Sequence, residues 1–142
     1  MNRMEFQQLA EVRVREAEAL LAAGLWDGAY YLAGYAVECA LKACVLRLVE
    51  QTGIIFEDKK FAEKCWTHDL EALVELLKLA PEVVSVRGVP PAKPDVAARW
   101  AVVKEWDETT RYLRIPEQMA RELVAAITDP AHGVLQWIRA YW

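Results

Sequence analysis

The fold is decided by residues 29–43, which read AYYLAGYAVECALKA. This segment carries only two charged side chains, Glu38 and Lys42, and its alanines recur at three- and four-residue steps. Small residues at that spacing form one face of an α-helix and let a neighbouring helix approach closely. We therefore predict one long central helix that is covered on most of its surface.

Apolar periodicity and residues typical of helix ends predict further helices on both sides of the central one. The first runs from about Met4 to Ala23, stops at Gly24, and is followed by the central helix, which Asp27 caps and which continues to about Val49 before Gly53. Two later helices are predicted as His68–Leu79, with a Thr67 cap, and Val96–Trp106. A last helix opens at Pro116, carries Met119, Leu123 and Ile127 inward, and restarts after Asp129-Pro130. Residues 86–94, with three prolines, are predicted as a loop. No segment indicates a pair of strands, so the fold class is all-α, a bundle of antiparallel helices.

Length and composition favour a single domain with its own core. The 142 residues suit one domain, 1–142, and no apolar run reaches the roughly 20 residues that a membrane span needs. The first residues lack the apolar core of a signal peptide, and the three cysteines lack C-x-x-C spacing. We expect a cytoplasmic protein with free thiols. The net charge of −4 means that any RNA site has to be local.

A polar stripe runs along the predicted central helix. A helical projection places Tyr31, Tyr35, Glu38 and Lys42 on one side, opposite the alanines. Arg13 projects into the apolar face of the first helix, where a guanidinium needs a partner, so we expect Glu38 to pair with Arg13 and Lys42 to compete. Two interpretations stay open: a buried network that fixes helix register, or a polar pocket for a nucleotide or substrate.

Other candidate chemistry is sparse. Cys65 and His68 have C-x-x-H spacing, but no second pair completes a metal site, so we predict no metal and no cofactor. His68 either makes a local bond at a helix start or has a functional role. A small basic cluster is formed in the sequence by Arg111, Arg114 and Arg121, with Trp106 and Tyr112 nearby. This cluster either binds a phosphate and a stacked base or is an ordinary solvated surface.

Several segments together resemble bacterial and archaeal HEPN-domain proteins. They are residues 15–24, the central segment 29–43 with Gly34-Tyr35, Glu38 and Leu41-Lys42-Ala43, the Thr67–Leu70 stretch, and Trp106 to Tyr112, which ends in Arg-Tyr. The resemblance covers nearly the whole chain and is most specific in the central segment. It implies an up-and-down four-helix bundle with an additional short helix. It also implies a homodimer that is often paired with a minimal nucleotidyltransferase in a toxin–antitoxin system.

Ribonucleases of that family carry an Arg and a His about two helical turns apart, and this chain departs from the pattern. Arg111 is followed by Ile115 to Gln118 without a His, and the nearest Arg before His68 is Arg47. The sequence therefore predicts a non-catalytic or diverged member that binds a nucleotide, RNA or a nucleotidyltransferase through the Glu38 and Arg111 region. The alternatives are a ribonuclease with another residue set and a dimeric scaffold without a ligand.

Six tryptophans and an almost uncharged central helix indicate more apolar surface than one short chain covers. We expect a symmetric homodimer whose contact surface includes either the small-residue face around Ala36 or the region of Trp100, Trp106 and Trp137. The alternative is that the tryptophan side chains fill the core of a single chain.

Overall fold

The computed structural model describes residues 1–53, 59–78 and 93–142, and every regular element in these ranges is helical. The elements are α1 (Arg3–Ala22), α2 (Trp26–Thr52), α3 (Lys59–Lys64), α4 (Leu70–Leu77), α5 (Pro94–Val103), a 3-10 helix (Glu108–Tyr112), α6 (Glu117–Thr128) and α7 (Val134–Arg139). The all-α prediction is confirmed for the described residues, where no strand occurs.

The central helix has the predicted role. α2 contacts α1 along much of its length and also contacts α4, α6, α7 and the 3-10 helix. Its alanine face is buried against these neighbours, with Ala29, Ala36 and Ala40 fully inaccessible. Because α2 is covered on nearly all sides, Glu38 lies in the interior as the only buried charged residue among those described.

Several predicted helix ends are confirmed to within a residue or two. A capping box between Asn2 and Glu5 begins α1, and Gly24 follows α1 with a φ of +74°. Gly53 ends α2 in the left-handed conformation, with a φ of +67°, where glycine has no side-chain penalty. On α4, the buried stripe of Leu70, Leu73, Val74 and Leu77 lies as predicted.

The two predicted N-caps are wrong. Leu25 holds the N-cap position of α2, and the carboxylate of Asp27 instead accepts hydrogen bonds from the backbone of Ile115 and the side chain of Arg114. α4 is capped by Asp69, whose side chain accepts from the backbone N–H of Ala72, and not by Thr67. Asp69 satisfies the first turn of α4, whereas Asp27 lies inside α2 and accepts from a distant backbone N–H instead of capping the helix.

The later part of the chain differs in other details. Pro94 is the first residue of α5 rather than part of a loop, and α5 ends at Val103, before Trp106. The rest of the predicted loop, 86–92, and Leu79 lie outside the described residues. Leu123 and Ile127 are buried as predicted, but Met119 is 42% exposed, so its inward assignment is wrong. Helix α3 and the 3-10 helix have no counterpart among the predicted helices.

Most of the residues expected at a dimer contact are buried inside the chain itself, and Trp137 is partly buried. Trp106 is 2% exposed and Trp100 is 7% exposed, and the Ala36 side chain has no exposed area. Tryptophan thus contributes to the core of one chain, as bulky aromatic residues usually do. Among the described residues, the large exposed aromatic side chains are instead Trp66 and Tyr112, at 81% and 77%. Among the described helices, none is both long and apolar enough to cross a membrane.

Candidate functional site

The most polar group in the interior is a cluster around Glu38. One carboxylate oxygen, Oε1, accepts hydrogen bonds from Lys42 Nζ at 2.7 Å and lies 2.9 Å from His68 Nδ1. Lys42 is one helical turn away on α2, whereas His68 approaches from the segment that leads into α4. The cluster therefore ties the interior of α2 to the start of α4.

Burial differs sharply among the three members of the cluster. The Glu38 side chain is 2% exposed, that of Lys42 is 16% exposed, and that of His68 is 51% exposed. The second carboxylate oxygen of Glu38, Oε2, has no hydrogen-bond partner among the described residues. A buried carboxylate oxygen without a partner is costly, because it has lost its hydration. The ammonium of Lys42 and the contact with the His68 imidazole, both at Oε1, are the interactions that keep the carboxylate in the interior.

Arg13 does not pair with Glu38, so that prediction is wrong. Its guanidinium bonds to Glu16 on the same helix, and this hydrogen bond raises the pKa of Arg13. The Arg13 side chain is 28% exposed, so the guanidinium reaches a surface carboxylate and needs no interior one. Lys42, the predicted competitor, is the residue that binds Glu38.

The two predicted tyrosines lie on the same side of α2 as the cluster. The rings of Tyr31 and Tyr35 are parallel, with centroids 6.2 Å apart, and the Tyr31 ring lies 5.9 Å from that of Trp106. Burial raises the pKa of Tyr35. The predicted stripe is thus a half-buried aromatic row that leads along α2 to Glu38, covered at one point by the indole of Trp106.

Arg111 and Tyr112 lie apart from this cluster. The Arg111 guanidinium carbon lies 4.8 Å from the centroid of the Tyr112 ring, and both residues are exposed. The interactions described for Arg111 include no contact with Glu38 or His68 and no carboxylate partner. Arg114 and Arg121, by contrast, are paired with Asp27 and Glu117. The predicted arginine cluster therefore reduces to one unpaired arginine beside an exposed ring.

A cleft of about 440 Å³ opens beside His68. One wall is the start of α4, and the other is the segment between α5 and the 3-10 helix. Its charged lining consists of five carboxylates with Lys104 and His68, and the carboxylates are Asp69, Glu71, Glu105, Asp107 and Glu108. Lys104 Nζ lies 3.3 Å from Glu71, so this lysine is already paired. The cleft is therefore acidic.

Trp106 lines the same cleft and is a residue whose position sequence reasoning missed. Its ring lies flat against the backbone of α2 at Gly34, and its indole Nε1 is buried without an acceptor among the described residues. The acidic residues on both sides of Trp106 in the sequence were the available signal for the cleft. This segment and His68 line the same cleft although they lie far apart in the sequence, and no local pattern indicates that.

Nucleophilic and metal chemistry find little support in the described residues. Burial raises the pKa of Cys39 to about 11 and that of Cys44 to about 12, so both remain protonated thiols near neutral pH. The Cys65 thiol donates to the backbone oxygen of Phe61, while His68 faces Glu38. Among the residues that the structure describes, no group of three or more metal-ligating side chains is clustered.

Comparison with known proteins gives no relative. No protein-family model, no curated protein and no solved structure matches this chain. The resemblance to HEPN-domain proteins stays a prediction that depends on the residues quoted for it.

Proposed function

We propose that the chain is a non-catalytic or diverged HEPN-like protein that binds a nucleotide or a short single strand of RNA. In this proposal its helices form the up-and-down four-helix bundle of that family, with additional short helices. The protein acts in the cytoplasm as one component of a toxin–antitoxin-like pair with a minimal nucleotidyltransferase. Its function is binding rather than RNA cleavage.

The observation that carries this proposal is the arrangement of Arg111 and Tyr112. An exposed tyrosine ring gives a stacking platform for a base, and an unpaired guanidinium beside it suits a phosphate. Ribonuclease members need an arginine and a histidine at one site, and the described contacts of Arg111 include no histidine. Binding without cleavage is the behaviour that fits such a separation.

One observation favours a ribonuclease as a second candidate. Glu38 Oε1 lies 2.9 Å from Nδ1 of the half-exposed His68 imidazole, and a carboxylate at one ring nitrogen is the arrangement that orients a general acid or base. Against it stands the charge of the adjacent cleft. Five carboxylates there repel the phosphates that a ribonuclease has to bind.

Binding of a fluorescently labelled single-stranded RNA tests the proposal. We expect Tyr112→Ala to weaken binding by about 5- to 150-fold, since base stacking contributes roughly 1 to 3 kcal/mol. Arg111→Ala should weaken binding and reduce its salt dependence, because one phosphate contact is lost. Arg15→Ala is the matched control, since Arg15 is also an exposed arginine but lies on α1.

The same incubation distinguishes the two candidates when the RNA is resolved by length. Intact RNA, with binding lost in the Arg111 and Tyr112 variants and kept in the control, supports the proposal. If the unmodified protein cuts the RNA and the His68→Ala variant leaves it intact, the binding proposal is wrong and the protein is a ribonuclease. Equal weakening by Arg111→Ala and Arg15→Ala would indicate general charge attraction and contradict a site at Arg111.

A homodimer is also part of the proposal, with a contact surface that excludes the buried Ala36, Trp100 and Trp106. Light scattering at micromolar concentration should give twice the chain mass of 16.2 kDa. Because Ala36 and Trp100 are buried in the single chain, substitutions there would unfold the protein rather than separate a dimer. An exposed position is therefore needed, and Leu113→Glu is suitable because Leu113 is 54% exposed. A mass near one chain for the unmodified protein would rule the dimer out.

A further inference from the structure

The acidic cleft beside His68 has features that the proposed function does not use. We propose that it is a docking site for a basic, extended peptide segment of a partner protein. In this site, a backbone carbonyl oxygen of the peptide segment accepts a hydrogen bond from Trp106 Nε1. The lysine or arginine side chains of the segment pair with the cleft carboxylates. The proposal concerns a surface different from Arg111 and Tyr112 and does not depend on the RNA proposal.

The negative charge of the cleft favours a positively charged ligand. Of its five carboxylates, Asp69 and Asp107 also cap helices, and Glu71 is paired with Lys104. Glu105 and Glu108 make no ion pair among the described residues. Two uncompensated carboxylates beside two capping aspartates attract a cation and repel a phosphate.

The indole of Trp106 selects a ligand that also carries an acceptor. Trp106 is 2% exposed and is one of the residues that line the cleft, and its Nε1 is buried without an acceptor among the described residues. An indole N–H usually finds a hydrogen-bond partner when buried. A metal ion or a simple polyamine offers no acceptor for it. A peptide offers both a carbonyl oxygen and cationic side chains.

An exposed aromatic ring close in sequence to the cleft residues supports the same ligand class. Trp66 is 81% exposed and lies two residues before His68 in the chain. Tryptophan is the aromatic residue whose ring face attracts an ammonium or guanidinium most strongly. Exposed tryptophan is also typical of protein contact surfaces. The acidic cleft and this ring together suit a segment with at least two basic residues.

Titration of ¹⁵N-labelled protein with acetyl-Gly-Arg-Gly-Arg-Gly-amide, followed by NMR, tests the proposal. We expect saturable shifts of residues in the cleft and a downfield shift of the Trp106 indole N–H, which the Trp106→Phe spectrum assigns. The peptide with citrulline in place of arginine removes the charge and keeps the carbonyl groups. Spermidine supplies the charge without a carbonyl group.

Variants of the uncompensated carboxylates give the second measurement. Glu105→Gln with Glu108→Gln should weaken the arginine peptide by about fivefold or more, because two exposed charge pairs are removed while both capping aspartates are kept. The matched control is Glu18→Gln with Glu122→Gln, which makes the same change in net charge on exposed positions of α1 and α6. The control should bind as the unmodified protein does.

Three outcomes would overturn the docking site. These are the absence of any shift at about 1 mM peptide, equal weakening by the two double variants, and equal binding of the citrulline peptide. If spermidine binds as tightly as the peptide and shifts the same indole N–H resonance, the cleft is a site for polycations rather than for a peptide. Failure of this experiment leaves the RNA proposal untouched, because its readout is at Arg111 and Tyr112.

Discussion

Gly34→Ala should destabilise the protein by about 3 kcal/mol, although alanine is normally the better helix residue by roughly 1 kcal/mol. Gly34 lies within α2, and a Cβ atom there would overlap three ring atoms of Trp106. The Trp106 side chain is 2% exposed and packs against Tyr31, so its rigid ring has nowhere to move without opening the core. Thermal unfolding should show a fall in melting temperature of about 6 to 12 °C.

Gly28→Ala is the matched control because it makes the same chemical change on the same helix. Its added Cβ would meet Leu20 Cδ1 at 3.1 Å, which is the flexible end of a side chain rather than a ring. We expect a change within about 1 kcal/mol, since the helix propensity gain offsets the small displacement. Equal losses of stability in both variants would contradict the assignment of Trp106 as the specific obstacle.

The parts of the fold that the sequence predicted are those set by local spacing. The stripe of α4 and the glycines that end α1 and α2 depend on residues a few positions apart, so periodicity is sufficient to identify them. The predicted Asp27 cap is wrong because the Asp27 carboxylate accepts a hydrogen bond from the backbone N–H of Ile115, 88 residues away in the sequence. A residue with two possible partners cannot be assigned from spacing alone.

The candidate site shows the same limit more strongly. Glu38 and Lys42 were placed together because they are one helical turn apart, and this contact is confirmed. The contact between Glu38 and His68 joins two elements, and it was missed in favour of Arg13, which reaches a surface carboxylate on its own helix. The acidic cleft depends on how two loops approach each other, and hydrophobic periodicity carries no information about that.

Glu38→Ala should also destabilise the protein by about 3 kcal/mol, because it leaves the Lys42 ammonium in the interior without its counter-charge. The partner that loses most is Lys42 rather than the Arg13 that sequence spacing suggested. The Lys42 side chain is 16% exposed, so it regains only part of its hydration when Glu38 is removed. His68 loses its hydrogen bond as well, but at 51% exposure it is readily hydrated. Chemical denaturation monitored by circular dichroism measures the change.

Two comparison variants separate a buried network from a general loss of charge. Glu75→Ala removes a carboxylate from an exposed pair with Lys78 and should cost less than about 1 kcal/mol. Glu38→Gln keeps an acceptor for Lys42 and should be milder than Glu38→Ala, since it loses the charge but not the hydrogen bond. If Glu38→Ala unfolds at the same denaturant concentration as Glu75→Ala, Glu38 is not holding a buried cation. The link that it forms between α2 and the start of α4 would then contribute nothing to stability.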